Sequence, residues 1–522
     1  MNPLCRLLFF LFLLTATAAH AQTKVFKAVA QDMEQDFEPI LQDGKPVGYL
    51  MFTQLEKASE DSFNYRVAIM DENLNDLGAV NFRQEKLNLK AVSFEQDILC
   101  LAYVQTNFVG KEYKSYKEFH RDQDDCKAAL FAQFIDLNGK IIGTRSIPMD
   151  ITPEFIYAPN SNKRGYANGQ MKHSIQLHNL AGKGFACFYG DDNKNNLIIF
   201  NTKSQLTWQK QVKEDARDFT LLTSGPEVSL LAKMKDKYWE GGYVVLSYNA
   251  VDSVTYPKFI LKDRKGNSLK VLAFSNDPAT GKPYASGVII DPRHGNNFGY
   301  GRALVHGTYC GLFAINLNGH TKNDIKAQFS YWTDGSQNFV DKDGYYDKDG
   351  VYANFEHSFR DYTGNTYFAA CGIHRHARWV GITASVLTLP FIVPPIWIMA
   401  PGTHLYNSSN VLLIKQDPAG KLTLANSIQA ARSDKVMATI PFSSYGPLYY
   451  SVSNSDTRTN YMVVDDHKAI QIYNVNQNKT ARTIPHKEAN NLVTILPAKE
   501  GYMMVYEFNK KEKTTRLSIE AL

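Results

Sequence analysis

The sequence predicts an all-β protein built from repeated antiparallel units, and two observations carry this prediction. The stretch Leu130–Pro148 (LFAQFIDLNGKIIGTRSIP) contains two apolar strands joined by a turn that includes Asp136, Asn138 and Gly139. Successive side chains of a strand point to opposite faces, and Asn-Gly tolerates the positive φ that a tight hairpin needs. Aromatic residues form 12% of the chain, which also favours pleated sheets.

The same unit recurs along the chain. Each copy has an apolar strand, an Asx residue that favours a turn, and a more polar second strand. The Asx residues that mark these copies are Asp71, Asp136, Asn201, Asn249, Asn316, Asp417, Asn474 and Asn509. Further pairs of apolar runs lie between most of them, so that two inner strands and an outer hairpin make a four-stranded blade. The pattern predicts a β-propeller of seven or eight four-stranded antiparallel blades.

This pattern resembles secreted β-propeller repeat proteins in general, without a WD, kelch or other named repeat motif. The resemblance covers nearly the whole mature chain and implies an architecture but no activity. An outer-membrane barrel, the competing all-β interpretation, requires alternating strands of roughly ten residues, whereas runs such as NLIIF are continuously apolar. Because the last unit is short, we expect the N-terminal strand around Tyr49–Leu55 to complete it and so remove exposed edges.

The first residues are typical of a secretory signal peptide. A basic start that ends at Arg6 precedes the apolar run Leu7–Leu14 and the cleavage motif Ala19-His20-Ala21. The apolar run is too short to span a bilayer. We therefore expect a signal peptide over 1–21 and a single propeller domain over 22–522. The protein would be secreted, periplasmic or exposed at the cell surface.

Charge and cysteine content exclude several classes of function. A formal net charge of +5 over 522 residues is too weak to predict nucleic-acid or anionic-membrane binding. The mature chain has five cysteines and no C-x-x-C pair, which argues against a disulfide framework or a zinc site. Four lie in apolar runs and are expected to be buried, whereas Cys126 lies in a charged loop and is the candidate reactive thiol.

The spacing of 101 residues from Asn316 to Asp417 predicts an insertion, at about 329–408, between the fifth and sixth repeats. It contains the tandem sequence DKDGYYDKDGVY. Hard cations prefer carboxylate oxygens, and Gly permits sharp turns between them. The possible calcium ligands are Asp341, Asp343, Asp347 and Asp349. The sequence departs from an EF-hand at Tyr345, and an Asp-Gly hairpin turn with solvated carboxylates is the alternative.

The insertion also contains candidate ligand-binding residues. A strand would place His374 and His376 on one face, beside Arg375, where they could hold a metal or a phosphate. Aromatic rings there could form a stacking platform for sugars or a groove for peptide, although core packing also explains them. These aromatic residues are Trp332, Tyr345 and Tyr346.

The segment Trp379–Pro401 is apolar and uncharged over about the length of a membrane span. Three prolines interrupt it, and each costs roughly 3 kcal/mol or more in a helix interior. We therefore expect no transmembrane span in the mature chain. The segment would instead pack on the propeller or on a partner, and peripheral association with the cell envelope is possible through it.

No hydrolase elbow, zinc-protease helix, phosphate-binding loop or dinucleotide motif is present in the sequence. The leading hypothesis is a non-enzymatic binding or scaffold protein whose ligand is a glycan or a protein, with no certain cofactor. One alternative is a propeller hydrolase or lyase acting on polysaccharide, and another is a subunit of a cell-envelope assembly. The enzyme would need polar residues at the inner-strand ends facing the central channel, whereas an apolar mouth would favour binding.

Overall fold

The structure is a computed structural model. It describes residues 22–27, 35–59, 62–108, 112–157, 165–168, 175–235, 242–290, 309–321, 323–334, 339–341, 344–346, 348–377, 404–430, 436–437, 448–466, 468–486 and 491–522. These residues form strands numbered β1 to β38 and one short α-helix, and every extended ladder between strands is antiparallel. The predicted all-β class is therefore confirmed.

The strands group into four-stranded units that follow one another along the chain. Strand β1 (Gln22–Lys27) precedes the first unit. The first unit contains β2 to β5: Gln35–Gln42, Lys45–Ser59, Ser62–Asp71 and Asp76–Gln84. The second contains β6 (Leu87–Glu95), β7 (Ile98–Thr106), β9 (Ala128–Asp136) and β10 (Ile141–Met149). The short β8 (Glu112–Tyr113) lies between β7 and β9 in the chain.

A small lobe extends from the second unit. It contains β8, helix α1 (Tyr116–Asp122), a 3-10 turn (Gln123–Asp125), β11 (Glu154–Tyr157) and β12 (Gly165–Asn168). Ser115 caps α1, because its Oγ accepts the Glu118 N–H at 3.3 Å. Phe108, Tyr113 and Phe119 pack together in its interior.

The third to fifth units follow the same order. The third contains β13 to β16: Gln176–Leu180, Gly184–Gly190, Asn195–Phe200 and Leu206–Val212. The fourth contains β17 to β21, the last two forming a broken outer strand: Ala216–Ser224, Glu227–Met234, Tyr243–Asn249, Val254–Thr255 and Phe259–Leu261. The fifth contains β22 to β25: Leu269–Asn276, Pro283–Ile290, Tyr309–Leu317 and Ile325–Tyr331.

The last three units complete the order. The sixth contains β27 (Val351–Arg360), β28 (Thr366–Ala377), β29 (His404–Gln416) and β30 (Leu422–Ile428). The short β26 (Tyr345–Tyr346) and β31 (Val436–Met437) are added to it. The seventh contains β32 to β35: Leu448–Asn454, Thr459–Asp465, Ala469–Asn474 and Lys479–Pro485. The last contains β36 to β38: Asn491–Pro497, Tyr502–Asn509 and Thr514–Ala521.

Among the described residues, eight units can be traced. One eight-stranded sheet contains the first two, joined by a single parallel pair between β2 and β6, and six further sheets contain one unit each. The hydrophobic cores lie between consecutive units: for example, Leu101 and Tyr103 of the second unit share a core with Tyr65 of the first. Tyr49 of the first unit likewise packs with Met504 of the last, which closes the arrangement into a ring. The fold is a β-propeller.

A strand from the N-terminal end completes the last unit, as expected, but it is a different strand. Strand β1 pairs with β38, with Gln22 opposite Ile519 and Lys27 opposite Thr514. The expected segment Tyr49–Leu55 instead belongs to β3 inside the first unit. The expectation failed at this point because β1 is short and contains polar residues, so its pattern is weak.

The predicted Asx turns are confirmed at seven of the eight positions. At Asp136, for example, Oδ1 accepts the N–H groups of Asn138 and Lys140, both at 2.9 Å. Equivalent bonds form at Asp71, Asn201, Asn249, Asp417, Asn474 and Asn509. Asn316 is the exception, because its Oδ1 accepts a hydrogen bond from Arg360. The last spacing is short because Asn509 ends the second strand of its unit, whereas the other Asx residues lie at the end of a third strand.

The stretch around 329–408, predicted as an insertion, contains regular strands. Strands β27 and β28 are the two inner strands of the sixth unit, and β29 follows as its third strand. The cysteines of the inner region behave as small apolar residues: Cys100, Cys187 and Cys371 are fully buried. Burial raises the pKa of Cys187 to about 12.

Candidate functional site

The two faces of the ring differ in the length of their connections. Because strands alternate in direction, the first-to-second and third-to-fourth connections of each unit emerge at one face, which we call the turn face. The remaining connections emerge at the opposite face, the loop face. Turn-face connections are short, such as 43–44 and 96–97. The long connections leave the described strands at the loop face: 107–127, 150–175, 291–308, 332–344, 378–403 and 438–447.

The candidate ligand-binding residues of the sequence also lie at the loop face. Trp332 directly follows β25, and Tyr345 and Tyr346 form β26. His374 and His376 lie near the end of β28, from which the connection 378–403 departs. The topology therefore brings the fifth- and sixth-unit candidates to one side of the ring.

The aromatic candidates are largely core residues. Trp332 and Tyr346 are buried between the fifth and sixth units, and the Trp332 indole N–H donates to the Tyr309 carbonyl at 2.7 Å. Tyr345 is half-buried, with its ring centroid 5.0 Å from that of Tyr352. Only Tyr345 of the three thus offers part of its ring to a ligand.

The aspartate repeat uses its carboxylates for local structure. Asp341 Oδ1 accepts the Tyr345 N–H at 2.8 Å and stabilises a turn. Asp349 Oδ2 accepts hydrogen bonds from Asn410 at 3.3 Å and Ser427 at 3.2 Å, which ties the connection to β29 and β30. Asp343 and Asp347 lie outside the described residues. Within the described part of the chain, no three His, Cys, Asp or Glu side chains are arranged to hold a metal ion.

The two histidines of β28 lie on one face of the strand, as the sequence predicts. Their ring centroids are 6.1 Å apart, and both are half-buried. His376 Nε2 lies 2.7 Å from Asn407 Oδ1 of the neighbouring β29. Arg375 lies between them in β28. The pair forms a small polar surface beside the start of the connection 378–403.

The apolar segment Trp379–Pro401 lies outside the described residues, so its expected packing stays a prediction. Among the residues that the structure does describe, no helix is long and apolar enough to cross a membrane.

The inner strands contain a feature that the sequence pattern did not predict. Strands β6, β17, β22 and β27, each the first of its unit, carry a β-bulge in which one extra residue has no partner in the ladder. A bulge re-aims a side chain and is frequent beside functional sites. The extra residues are Lys90, Arg217, Leu272 and Glu356. Three of the four residues are charged, although each lies in the strand of its unit that is closest to the axis of the ring.

The exposed side chains of the inner strands are polar. Among the described residues, and apart from Pro497, the exposed positions of the first strands are Asp36, Glu38, Asn88, Lys90, Arg217, Asp218, Thr220 and Ser275. All but Ser275 lie in the part of the strand that begins at the loop face, because each first strand runs from the loop face to the turn face. We call this set, without Ser275, the axial cluster. The set is polar, as the enzyme alternative requires, and the described first strands do not form the apolar mouth that would favour binding of an apolar ligand. Binding of a glycan also needs polar side chains of this kind, so the set is compatible with both functions.

The surroundings of the inner strands perturb several ionisable groups, including two that keep part of their side chains exposed. Desolvation raises the pKa of Glu38, and the adjacent Asp36 carboxylate raises it further. Desolvation lowers the pKa of Lys90, with Asp36 opposing the shift. Burial lowers the pKa of His178 and of His357 to about 4. Perturbed groups gather at functional sites more often than elsewhere, which makes the inner strands a candidate site.

A lysine and a glutamate face each other between the fifth and sixth units. Lys270 Nζ donates to the Tyr309 hydroxyl at 3.3 Å, and the Tyr309 oxygen and Glu356 both raise the pKa of Lys270. Desolvation raises the pKa of Glu356, while Lys270 and a hydrogen bond from Asn354 oppose the shift. The site therefore holds a cation and a carboxyl group on two adjacent inner strands, and a phenol at the start of β24, the third strand of the fifth unit.

The sequence contains a signal for these bulges. In β6, LNLKAVSFE, buried residues alternate as Leu87 and Leu89 and then resume at Val92, so the alternation changes phase at Lys90. A phase change next to a charged residue indicates a bulge. It does not reveal that the strand lies next to the axis.

Comparisons with known proteins give similarities to a family and to solved structures but no activity. A family model described as a family of unknown function (DUF6770) matches residues 1–121. A comparison with curated proteins gave no match. Similar solved structures include the Dos1 propeller, with 8% identity, coverage of 95% of this chain and 94% of that chain, and a TM-score of 0.43.

Two further solved structures are similar in the same way. For the β-propeller domain of the Trilobed protease from Pyrococcus furiosus, the identity is 8%, the coverage is 83% of this chain and 95% of that chain, and the TM-score is 0.36. For the WD40 domain of SCAP from fission yeast, the identity is 9%, the coverage is 96% and 98%, and the TM-score is 0.37. Likeness at this level carries no statement about ligands or catalysis.

Proposed function

We propose that this protein is a non-enzymatic binding protein that holds a glycan at the loop face, over the axial cluster. The observation that carries the proposal is the position of the axial cluster. Its exposed polar side chains lie at the face where the long connections also emerge. Rigid strands thus supply fixed polar groups, and the connections supply variable walls, which is a usual division of labour in binding sites.

A glycan fits this surface better than a protein partner does. Sugar hydroxyl groups donate and accept hydrogen bonds, and the cluster offers both kinds of partner in Asp36, Asn88, Lys90 and Thr220. Protein interfaces have an apolar core. Among the described residues, the exposed large apolar side chains are instead scattered along the chain, for example Val25, Ile141 and Tyr502. A protein ligand is the second choice.

We further propose that the protein acts outside the cytoplasm, in the periplasm or at the cell surface. The basic start, the apolar run and the Ala-His-Ala motif before Gln22 support this location. Association with the envelope through Trp379–Pro401, and calcium binding through the aspartate repeat, stay proposals of the same kind. Calorimetry with Ca²⁺ on wild type and Asp343→Ala tests the second of these.

A hydrolase or lyase acting on polysaccharide is the second candidate function, and the inner-strand chemistry favours it. Glu38, whose pKa is raised, lies two residues from Asp36 on one strand. Two carboxyl groups whose environments differ are the requirement for acid and base roles. Lys90 lies on the neighbouring inner strand and interacts with Asp36.

One experiment tests the binding function and separates it from catalysis. The purified protein is applied to an array of neutral and acidic oligosaccharides beside two variants. Lys90→Gln removes a charge from the axial cluster, and Lys140→Gln removes the same charge from the turn face. We expect retention by wild type and Lys140→Gln, and roughly fivefold weaker retention by Lys90→Gln, because one exposed polar contact contributes up to about 1 kcal/mol.

Two results would overturn this proposal. Equal retention of Lys90→Gln and Lys140→Gln would place binding away from the axial cluster. If the wild-type protein retained no oligosaccharide, every glycan on the array would be excluded as its ligand. New reducing ends that accumulate with wild type but not with Glu38→Gln would establish the enzyme instead.

A further inference from the structure

Two cavities lie side by side between the third and fourth units. The first has a volume of about 720 Å³ and opens at the loop face between the connections 191–194 and 213–215. The second, of about 600 Å³, continues past β16 to the broken outer strand of the fourth unit. Both are lined by residues 211–214, so they form one groove, which we call the radial groove.

The inner end of the radial groove reaches the axial cluster. Arg217 lines the first cavity, and it is the extra residue of the bulge in the inner strand β17. The groove ends on the outer side at Tyr256 and Lys258. These residues lie with Pro257 in the gap between β20 and β21, where the outer strand of the fourth unit is interrupted. The groove therefore runs from the axis of the ring towards its rim.

Basic side chains outnumber acidic ones along the radial groove. Its six basic residues are Lys194, Lys210, Lys213, Arg217, Lys235 and Lys258. Its four acidic residues are Asp191, Asp192, Glu214 and Asp215. The excess of positive charge lies in a concave surface, where it attracts anions more strongly than it would on a flat one.

The acidic residues of the groove already have partners. Asp215 lies 2.5 Å from Lys235, and Glu214 lies 3.2 Å from Lys258. Asp191 Oδ1 accepts backbone N–H groups, among them that of Lys194 at 2.6 Å.

Three lysines remain to contact a ligand. Among the described residues, the side chains of Lys194, Lys210 and Lys213 form no ion pair. Lys194 and Lys213 are exposed, and Lys210 is half-buried. Lys194 and Lys213 line the first cavity, and Lys210 and Lys213 line the second, so ammonium groups are available along both parts of the groove.

We propose that the radial groove binds a segment of an acidic polysaccharide, with Lys194, Lys210 and Lys213 contacting its carboxylate groups. This inference rests on the proposed function, because it assigns the ligand class and the path of the glycan from the axis to the rim. A lysine ammonium acts as a compact point charge, and spaced lysines suit charges that repeat along a chain. The half-buried Tyr256 adds part of its ring to the second cavity, while His320 stacks on one face of that ring.

The test measures binding of tetragalacturonate to the purified protein by calorimetry, with its fully methyl-esterified form as the uncharged ligand. The groove variant is Lys210→Gln with Lys213→Gln. The matched control is Lys510→Gln with Lys511→Gln, which removes the same charge from exposed lysines at the loop face of the last unit. Hexaglutamate is the third ligand, because it carries repeated carboxylates on a peptide.

We expect wild type and the control to bind tetragalacturonate, and the groove variant to bind it about tenfold more weakly. The affinity of wild type should also fall with added salt, because the contacts are between exposed charges. The methyl ester should bind weakly to all three proteins.

Each contrary result has a separate meaning. Equal affinity of the groove variant and the control for tetragalacturonate would overturn the assignment of the groove. If Lys90→Gln nevertheless lost binding, the proposed function at the axial cluster would still stand. Stronger binding of hexaglutamate than of tetragalacturonate would replace the glycan by an acidic peptide. Absence of binding by every oligosaccharide, neutral or acidic, would overturn the proposed function as well.

Discussion

The Arg360 guanidinium joins the fifth and sixth units by a buried ion pair with Asp277. Arg360 Nη1 lies 2.9 Å from Asp277 Oδ2, and both side chains are at most 10% exposed. The guanidinium also lies over the Tyr284 ring at 4.4 Å and donates to Asn316. Asp277 in turn caps its own turn, because Oδ1 accepts the Ala279 N–H. This network at the turn face links neighbouring units through side chains.

We predict that Arg360→Met lowers the free energy of unfolding by about 3 kcal/mol, because it leaves the Asp277 carboxylate buried without its cation. Asp277→Asn should relieve much of this loss when it is added to Arg360→Met, since Asn keeps the Oδ1 acceptor but carries no charge. The midpoint of denaturant unfolding measures both effects. Arg516→Met is the control, because Arg516 is 56% exposed and 3.9 Å from Glu507. An equal loss in the control would contradict the prediction.

Removal of β1 should expose the outer edge of the last unit. We predict that deletion of residues 1–27 lowers the melting temperature and promotes association, because the edge of β38 is then unpaired and can template another chain. Thermal unfolding and size-exclusion chromatography with light scattering measure the two effects. Deletion of residues 1–21 alone, which keeps β1, is the control. If both truncated proteins melted at the same temperature, β1 would not stabilise the ring.

The sequence predicted the local features of this fold well. The turn at Asp136 depends on its own Oδ1 and on neighbouring backbone groups, so a few adjacent residues determine it. The pairing of Gln22 with Ile519 depends on two distant ends of the chain. Nothing in the pattern of QTKVFK identifies this partner. Val25 is 56% exposed, so β1 has no strongly apolar face that would predict a buried strand.

The candidate site was predicted less well, for a related reason. His374 and His376 share a strand, and the period of two is enough to place them on one face. Lys90 and Arg217 belong to different units, and they become neighbours of the axis only when the ring has formed. A charged residue in a single strand sequence gives no indication of that position.

His357, whose Nε2 atom is buried, should make the protein less stable in acid. Burial lowers the pKa of His357 to about 4 from its ordinary 6.5, so the folded protein keeps the imidazole neutral. The unfolded chain takes up the proton first as the pH falls. The stability contributed by neutral His357 is therefore complete above pH 6.5 and is lost progressively towards pH 4.

We predict that His357→Phe unfolds with a weaker pH dependence than wild type between pH 6.5 and 4. The difference should reach up to about 3 kcal/mol, since each pKa unit corresponds to about 1.4 kcal/mol. Denaturant titrations at several pH values measure it. The same exchange at the exposed His120 controls for the added ring. Parallel pH profiles for wild type and His357→Phe would show that His357 ionises normally in the folded protein.

The first and second units touch through two glycines, and this contact leaves no room for a side chain. A Cβ added at Gly139 would lie 2.4 Å from the Ala79 carbonyl oxygen, and one added at Gly78 would lie 2.5 Å from that of Leu137. Gly139 also has a φ of +87°, in the left-handed region that favours glycine.

We predict that Gly139→Ala destabilises the protein more than Gly182→Ala does, by about 2 kcal/mol. Gly182 has a φ of +70° but no atom within 4 Å of an added Cβ, so it shares the backbone strain without the steric clash. A substitution at Gly182 should therefore cost only about 1 kcal/mol. The difference between the two unfolding midpoints isolates the close approach of the Asp136 turn to β5. Equal midpoints would mean that the turn can move away from Ala79 at no cost, and that this contact does not fix the first unit against the second.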